Sequence, residues 1–315
     1  MNTLRLYRNV NGYYDAWEIG SMYEQEEEAL DTSLWHMEES QYQGRPAWLL
    51  KGQVKDSPFS QRICISQDGC LLEFHTEIFW QERHRMLKVD FPAAVRAAEV
   101  TGEIAFGAIK RPVMGSYQWE KDRYEVCGHR YSLLEDGSRG IGLFNDSKYG
   151  YSAKEDRISL TLLRAPLMPD MYADQGRQEF SYACYPFEGD SRRGQIAQRA
   201  VSFNRRSHLG ESLQKRAGIL GKSFGLLEIA GAAGEPAHVL IESVKLAEEG
   251  SKRTVIRLYE AVGCPQKVRI SFVPAVKELM ESDILEREGR RLPLAGNSIE
   301  MAFGSFEIKT LMILK

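Results

Sequence analysis

Two dense polar clusters hold the residues of this chain whose types and spacing could do chemistry. The first covers residues 145–151 and contains four candidate ligand-contacting residues, Asn145, Asp146, Lys148 and Tyr149. Amides, carboxylates and a tyrosine ring suit hydroxyl recognition and ring stacking, so the cluster predicts a binding surface. An Asx-type turn, with Asp146 paired to Lys148 or to a backbone amide, is an equally weighted alternative.

The second cluster, residues 173–177, favours a structural use. Gly176 can supply backbone angles that other residues avoid, and Arg177 can brace a carboxylate. Docking of another domain is an equally structural use, and tryptophans such as Trp17 are more often core or interface anchors than ligand platforms. We therefore assign one set of residues to structure or domain docking: Asp15, Trp17, Arg164, Asp174, Gln175, Gly176 and Arg177.

The histidines offer no recognisable metal motif. The six of them include no His-x-x-x-His and no His-x-Asp spacing, whereas a catalytic zinc usually has two ligands at close spacing. The nearest approach is His75 with Glu77, which share one face of a predicted strand. A polar strand face paired to a neighbouring strand is the favoured interpretation. We assign no metal ligand and no catalytic residue to the chain.

Composition excludes several classes of partner. The net charge of -3 provides no concentrated basic face for nucleic acid. No window approaches the roughly 18 apolar residues of a membrane-spanning helix. The five cysteines are scattered, without a Cys-x-x-Cys pair, and predict reduced thiols in a cytoplasmic protein.

The elements that position these clusters are predicted to be β-strands. Apolar or alternating runs recur between turn signals, and alternation in residues 179–185 places Phe180, Tyr182 and Cys184 on one face of a half-buried strand. The pattern predicts a mainly β protein of stacked antiparallel sheets. Residues 191–203 are the exception, because helical apolar spacing after Ser191, a candidate N-cap, predicts a helix.

The order of several motifs along the chain carries a family resemblance. They include Asp15-Ala16-Trp17-Glu18-Ile19, Trp80-Gln81-Glu82-Arg83-His84, Asn145-Asp146-Ser147-Lys148-Tyr149-Gly150-Tyr151, Leu162-Leu163-Arg164-Ala165-Pro166 and Ala173-Asp174-Gln175-Gly176-Arg177. Together they resemble the C-terminal β-domain of glycoside hydrolase family 38, the α-mannosidases. Nearly the whole chain is covered, and departures within it are minor, such as Glu18 where aspartate is usual.

The resemblance implies a large antiparallel β-sandwich of the galactose mutarotase-like supersandwich type. We expect it to occupy residues 1–230, truncated at its N-terminus, with a small C-terminal β-subdomain over residues 231–315. The intact enzymes are implied to be retaining, zinc-dependent hydrolases of terminal α-D-mannosyl residues. Their zinc ligands and attacking aspartate belong to an N-terminal barrel that has no counterpart in this sequence. We therefore expect a non-catalytic part, without a cofactor of its own, whose residues 145–149 complete the sugar pocket.

Four carboxylates in or beside the two clusters are candidates for a catalytic pair. Retaining glycoside hydrolysis needs two carboxyl groups about 5 to 5.5 Å apart, and the candidates are Asp146, Asp170, Asp174 and Glu179. A simple meander of strands 140–144, 158–163 and 179–185 would place the two intervening loops at opposite ends of the sheet. Asp146 and Asp174 would then meet only if the second loop folds back.

The missing barrel also predicts how the chain associates. Exposed apolar surface and unpaired strand edges favour self-association, or binding to a partner chain that carries the catalytic domain. α-Mannosides are expected to bind through the intact enzyme. The alternative is a stand-alone carbohydrate-binding or scaffold module from a truncated gene, which must bind sugar without the barrel. A third hypothesis, an aldose epimerase that acts through a His and Glu pair, rests only on analogy of fold.

Overall fold

The computed structural model describes residues 2–10, 12, 14–154, 156–205, 225–248, 253–287 and 289–314. The chain separates into two compact units, of which the first comprises Met1–Ile104 with Ile109–Gly194 and the second comprises Ala105–Ala108 with Gln195–Lys315. This division falls at residues 194/195, earlier in the chain than the boundary at 230/231 that we expected from the sequence. The glycine-containing polar stretch before residue 225, which suggested that boundary, lies largely outside the described residues.

The first unit is built on two antiparallel sheets. The six-stranded sheet has the order β10-β13-β14-β7-β1-β2, and the nine-stranded sheet has the order β3-β4-β5-β6-β15-β12-β11-β8-β9. In chain order the strands are β1 (Thr3–Arg8), β2 (Glu27–Glu28), β3 (His36–Tyr42), β4 (Arg45–Val54), β5 (Ser57–Ile65), β6 (Leu72–Trp80), β7 (Arg85–Pro92), β8 (Glu99–Ile104), β9 (Gly107–Pro112), β10 (Val126–Cys127), β11 (Tyr131–Glu135), β12 (Arg139–Asn145), β13 (Gly150–Lys154), β14 (Arg157–Leu163) and β15 (Gly176–Glu188).

Aromatic rings join the two sheets of the first unit. The ring centroid of Phe74 on β6 lies 5.6 Å from that of Phe91 on β7 and 5.1 Å from that of Tyr182 on β15. Both sheets contribute to one buried cluster, which also contains Val89 from β7 and Ile78 from β6. The apolar faces of the two sheets are therefore buried against each other, and the β-sandwich predicted from the sequence is confirmed.

Strand β15 corrects one prediction. Phe180, Tyr182 and Cys184 line the core cluster, as their alternation predicted. Residues 180–185 are nevertheless buried on both faces, so the prediction of a half-buried strand was wrong for this part of β15. β15 is the middle strand of the nine, and on its second face Tyr185 packs with its ring centroid 5.9 Å from that of Phe144. Alternation identifies the core face but does not reveal what covers the other one.

The second unit is also β-rich. Its described residues form a three-stranded sheet, β16-β19-β22, and a five-stranded sheet, β17-β18-β23-β20-β21. A buried cluster that includes Ile256, Leu258, Ile270 and Leu311 draws on both sheets. The strands are β16 (Leu227–Gly231), β17 (Val239–Leu246), β18 (Thr254–Glu260), β19 (Gln266–Phe272), β20 (Glu278–Ser282), β21 (Arg290–Arg291), β22 (Ser298–Phe303) and β23 (Ile308–Leu314).

Helices are short. The described α-helices are α1 (Gln118–Lys121) and α2 (Ile196–Asn204), and 3-10 turns cover Tyr23–Glu26 and Ala232–Gly234. The helix predicted from residue 191 is confirmed as α2, but Ser191 is not its N-cap. The backbone N–H of Ser191 donates to the Glu135 carboxylate (2.5 Å). Gln195 occupies the N-cap position with a left-handed backbone. None of the helices in the described part of the chain is long and apolar enough to cross a membrane.

Candidate functional site

The two polar clusters lie at the same end of the nine-stranded sheet. β12 ends at Asn145 and β15 begins at Gly176, and the two strands are antiparallel neighbours with Asn145 opposite Tyr182. β13 and β14, which separate them in the chain, belong to the other sheet. The simple meander considered from the sequence is therefore wrong, and the segments 146–149 and 164–175 both border the first half of β15.

Asn145 holds the turn of the first cluster from inside. Its side chain is fully buried. Nδ2 donates to the carbonyl of His129 (2.6 Å) and to the hydroxyl of Tyr151, while Oδ1 accepts the backbone N–H of Lys148 (2.7 Å). This is an Asx-type arrangement, in which a side chain replaces a backbone partner. Asn145 shapes the turn that presents residues 146–149 and does not lie on its surface.

Asp146 and Tyr149 lie closer to the surface of the same turn. Oδ2 of Asp146 accepts the backbone N–H of Ser181 (3.0 Å), which ties the turn to β15. Half of the Tyr149 side chain is exposed, and its ring centroid lies 6.3 Å from that of His129. Tyr149 is therefore placed so that one face of its ring can meet a ligand or another domain.

The ammonium group of Lys148 is half-buried above an aromatic ring. Nζ lies 4.9 Å from the ring centroid of Phe180, within the range of a cation–π interaction. Burial lowers the pKa of Lys148, and the negative charges of Asp174 and Asp146 offset part of that shift. One carboxylate from each polar cluster thus acts on the same ammonium group, so the two clusters share one electrostatic environment.

A buried brace, made of Asp15, Arg164 and Asp174, fixes the loop between β14 and β15. The Asp15 carboxylate accepts the backbone N–H groups of Leu167 (2.7 Å) and Met168 (2.8 Å). Asp174 Oδ2 accepts the N–H groups of Arg164 (2.9 Å) and of the residue that follows it (3.2 Å). Both carboxylates therefore stabilise backbone that belongs to no sheet.

The guanidinium group of Arg164 is the centre of the brace. It donates to Oδ1 of Asn9 (2.9 and 3.2 Å) and to the carbonyls of Asp15 (2.7 Å), Ala16 (3.2 Å) and Glu18. A guanidinium fork suits this many acceptors, because its donors have fixed directions. Burial lowers the pKa of Arg164, and the negative charges of nearby carboxylates oppose that shift. Asn9 was not singled out in the sequence, where a lone asparagine gives no signal.

The remaining residues of the second cluster also have structural contacts. Gln175 Nε2 donates to the carbonyl of Glu82 (2.6 Å), and Gly176 has a φ of +88°, which favours glycine. Arg177 is exposed and forms ion pairs with Glu77 (2.9 Å) and Glu179. The cluster therefore sets the angle at which the loop enters β15.

Exposed apolar side chains lie in the two segments that the brace joins. Tyr14 and Trp17 are 60% and 67% exposed, with ring centroids 5.8 Å apart. The backbone N–H of Ala16, which directly precedes Trp17, donates to the carbonyl of Met168 (3.3 Å), where the exposed side chains of the loop begin. We call five residues the apolar loop surface: Tyr14, Trp17, Met168, Met171 and Tyr172. The loop residues were missed in the sequence, although apolar residues in a proline-flanked loop were a possible signal.

The candidate carboxylates of the clusters are each engaged separately. Asp146 and Asp174 accept backbone N–H groups from different segments, as described above. Asp170 Oδ1 accepts the backbone N–H of Tyr172 (2.9 Å), and Glu179 pairs with Arg177. These contacts are those of turns and surface ion pairs. They give no geometric support for an acid and nucleophile pair among these four residues.

Three possible metal ligands lie together on β5 and β6. Cys64, Glu73 and His75 each place a ligand atom within 4.8 Å of the other two. His75 Nε2 lies 3.2 Å from the Glu73 carboxylate. Glu77, which the sequence analysis placed on the same strand face as His75, forms an ion pair with Arg177 instead. Arg45 also binds the Glu73 carboxylate (2.9 Å), and burial raises the pKa of the Cys64 thiol to about 11. Because the Glu73 carboxylate already contacts Arg45, His75 and Cys64, the contacts are those of a polar network on the sheet.

Family models match most of the chain. Residues 1–172 match the model described as the glycosyl hydrolases family 38 C-terminal domain. Residues 238–311 match the model described as the glycosyl hydrolases family 38 C-terminal beta sandwich domain. The first match alone covers more than half of the chain, so the chain belongs to glycosyl hydrolase family 38 as a C-terminal domain. The resemblance carried by the sequence motifs is confirmed.

Curated relatives give the same result. Alpha-mannosidase 2C1 of Homo sapiens is 33% identical over 99% of this chain, and the match covers 30% of that protein. Alpha-mannosidase G of Dictyostelium discoideum is 30% identical over 80% of this chain and is covered to 23%. The chain therefore spans less than a third of the length of these relatives.

Solved structures show the same fold. An alpha-mannosidase from Enterococcus faecalis V583 superposes with a TM-score of 0.75 over 99% of this chain and 38% of its own, at 15% identity. A glycosyl hydrolase family 38 protein from Enterococcus faecalis gives 0.72 at 14% identity, over 99% of this chain and 40% of its own. At such low identity the likeness concerns the fold alone.

Proposed function

We propose that this chain is the C-terminal, non-catalytic part of a retaining α-mannosidase that hydrolyses terminal α-D-mannosyl residues. In that assembly a separate catalytic domain supplies the zinc ion and the attacking aspartate. The observation that carries the proposal is the family match along the chain, combined with relatives more than three times its length that are named as α-mannosidases. The separately engaged carboxylates of the two clusters support a non-catalytic role.

In the proposed assembly the apolar loop surface contacts the catalytic domain. Its five side chains are each about half exposed or more, and they lie beside the buried brace that holds their backbone. Rigid, exposed aromatic residues are typical anchors of protein interfaces. Lys148 and Tyr149, on the neighbouring turn, then contribute a cation and an aromatic ring to the rim of the sugar pocket.

Hydrolysis of p-nitrophenyl α-mannoside tests the non-catalytic role. Purified chain with added zinc should show no turnover above the zinc buffer, and a full-length family 38 α-mannosidase serves as the positive control. Zinc-dependent turnover that co-purifies with the chain would contradict the proposal. Calorimetric titration with mannose and mannobiose addresses the alternative, because sugar binding without a catalytic domain would indicate a stand-alone carbohydrate-binding module.

Self-association of the isolated chain is the further expectation of this proposal. An exposed apolar surface that lacks its partner favours contact between copies. Light scattering at increasing concentration should therefore show a mass above that of the monomer. The double variant Trp17→Ser with Tyr172→Ser should shift the chain towards monomer, while Arg177→Gln should not. A wild-type chain that stays monomeric at high concentration would count against this use of the surface.

A further inference from the structure

A cavity of about 290 Å³ lies in the first unit, between β13, the 3-10 turn Tyr23–Glu26 and the segments on either side of α1. Its volume is close to that of the smaller pockets that hold small molecules. Three tyrosines line it, of which Tyr23 and Tyr151 are buried and Tyr124 is partly exposed. A partly exposed ring suits the apolar face of a sugar or another flat ring.

The charges of the cavity wall do not balance. Its acidic residues are Glu24 and Glu120, and its basic residues are Arg111, Lys121, Arg123 and Lys154. Glu24 is paired with Lys154. Glu120 accepts two backbone N–H groups, those of Ser116 (2.8 Å) and Tyr117 (3.1 Å). Both carboxylates thus already have partners, and with four basic and two acidic residues the wall has an excess of positive charge.

Arg111 is the most informative of these residues. Among the described residues its Nη1 is buried and has no hydrogen-bond partner, and the same holds for Oγ of Ser132. A Cβ built on Gly102 would lie 3.2 Å from this Nη1 and 3.3 Å from this Oγ, so Nη1 faces Gly102 and Ser132, while Arg111 itself lines the cavity. Burial, followed by the positive charge of Arg123, lowers the pKa of Arg111.

An unpaired buried donor is expensive for a folded protein. Leaving a buried polar group unsatisfied costs about 1–3 kcal/mol, and more when the group is charged. Placing a second arginine nearby adds repulsion between like charges. In contrast, the guanidinium group of Arg123 lies 4.8 Å from the ring centroid of Trp119 at the cavity rim. An anion in the cavity offsets the repulsion between these two guanidinium groups.

We propose that this cavity binds the phosphate group of a small ligand no larger than a phosphorylated monosaccharide. Arg111 donates to the phosphate oxygens, and a guanidinium fork matches such oxygens in a bidentate manner. Arg123 adds a second positive charge at the rim, and the partly exposed ring of Tyr124 contacts the part of the ligand that carries the phosphate. This site is independent of any role of the chain in mannoside hydrolysis.

Titration calorimetry of the full chain with inorganic phosphate, mannose 6-phosphate and mannose tests the proposal. Phosphate should bind saturably, mannose 6-phosphate should bind at least as tightly, and mannose alone should not compete. Phosphate binding without any gain from the sugar would identify inorganic phosphate as the ligand. Failure of both phosphate compounds to bind would overturn the proposal.

Variants locate the binding site. Arg111→Gln should weaken phosphate binding by about tenfold or more, since a charged hydrogen-bond donor is lost. Lys110→Gln is the matched control, because Lys110 is the neighbouring residue on β9 and its exposed ammonium lies 4.0 Å from Glu99. Equal weakening by both variants, or by neither, would contradict the site. Arg123→Gln on the exposed rim gives the same test should Arg111→Gln fail to fold.

Discussion

Arg164 and Arg111 are two half-buried arginines of the same unit with opposite surroundings. Arg164 donates to Asn9 and to three backbone carbonyls, whereas Nη1 of Arg111 is buried without a partner among the described residues. Burial lowers the pKa of both side chains. The difference teaches that burial alone does not assign a role to an arginine. A saturated fork indicates a structural brace, and an unsatisfied one beside a cavity indicates a binding site.

Removal of the saturated arginine should have the largest effect. Arg164→Ala leaves Asn9 Oδ1 and several carbonyls without their donor, so we expect the free energy of unfolding to fall by about 3–5 kcal/mol. Urea unfolding followed by tryptophan fluorescence measures the change. Arg177→Ala is the matched control, because Arg177 is exposed and its ion pairs are on the surface; its unfolding midpoint should stay where it is. Equal unfolding midpoints for Arg164→Ala and Arg177→Ala would contradict the role of Arg164 as a brace and remove its contrast with Arg111.

Removal of the unsatisfied arginine should have a much smaller effect on stability. Arg111→Met retains most of the apolar stem and deletes an unpaired charge, so its free energy of unfolding should stay within about 1 kcal/mol of the wild type, or increase. The same urea titration measures it. A loss as large as that of Arg164→Ala would mean that Arg111 is a second brace, and the proposed phosphate site would lose its main support.

Lys148 sharpens the comparison through pH, with the smallest expected effect. Burial lowers its folded-state pKa below the unfolded value, so in the window between these two values the unfolded state binds more protons. The free energy of unfolding therefore rises with pH in that window, and the penalty of burying the charge is fully present below it. Lys148→Met should be at least as stable as the wild type at neutral pH. Unfolding experiments from neutral pH to about pH 10 should show the two proteins converging, and a constant difference would contradict the assigned pKa direction.

The sequence predicted the local parts of this architecture. It identified the sandwich, the core face of β15 and helix α2. These features depend on periodicity, on turn chemistry and on motifs that are continuous in the chain.

Long-range pairing could not be predicted in the same way. β12 and β15 are neighbours although two strands of the other sheet lie between them in the chain, and this pairing brings the two polar clusters together. The cavity around Arg111 depends on five separate segments of the chain, which no local pattern brings together. Ser191 has the right type for an N-cap, but its contact with Glu135 prevails. In each case a tertiary contact decides between local alternatives of similar energy.

Reconstitution tests the central claim, that this chain completes a catalytic domain through the apolar loop surface. The segment of a full-length family 38 α-mannosidase that precedes its matched C-terminal part would be co-expressed with this chain, and hydrolysis of p-nitrophenyl α-mannoside would be measured. We predict that activity requires both chains and falls sharply with Trp17→Ser and Tyr172→Ser, while Arg177→Gln leaves it unchanged. Activity of the catalytic segment that is the same with and without this chain would contradict the account.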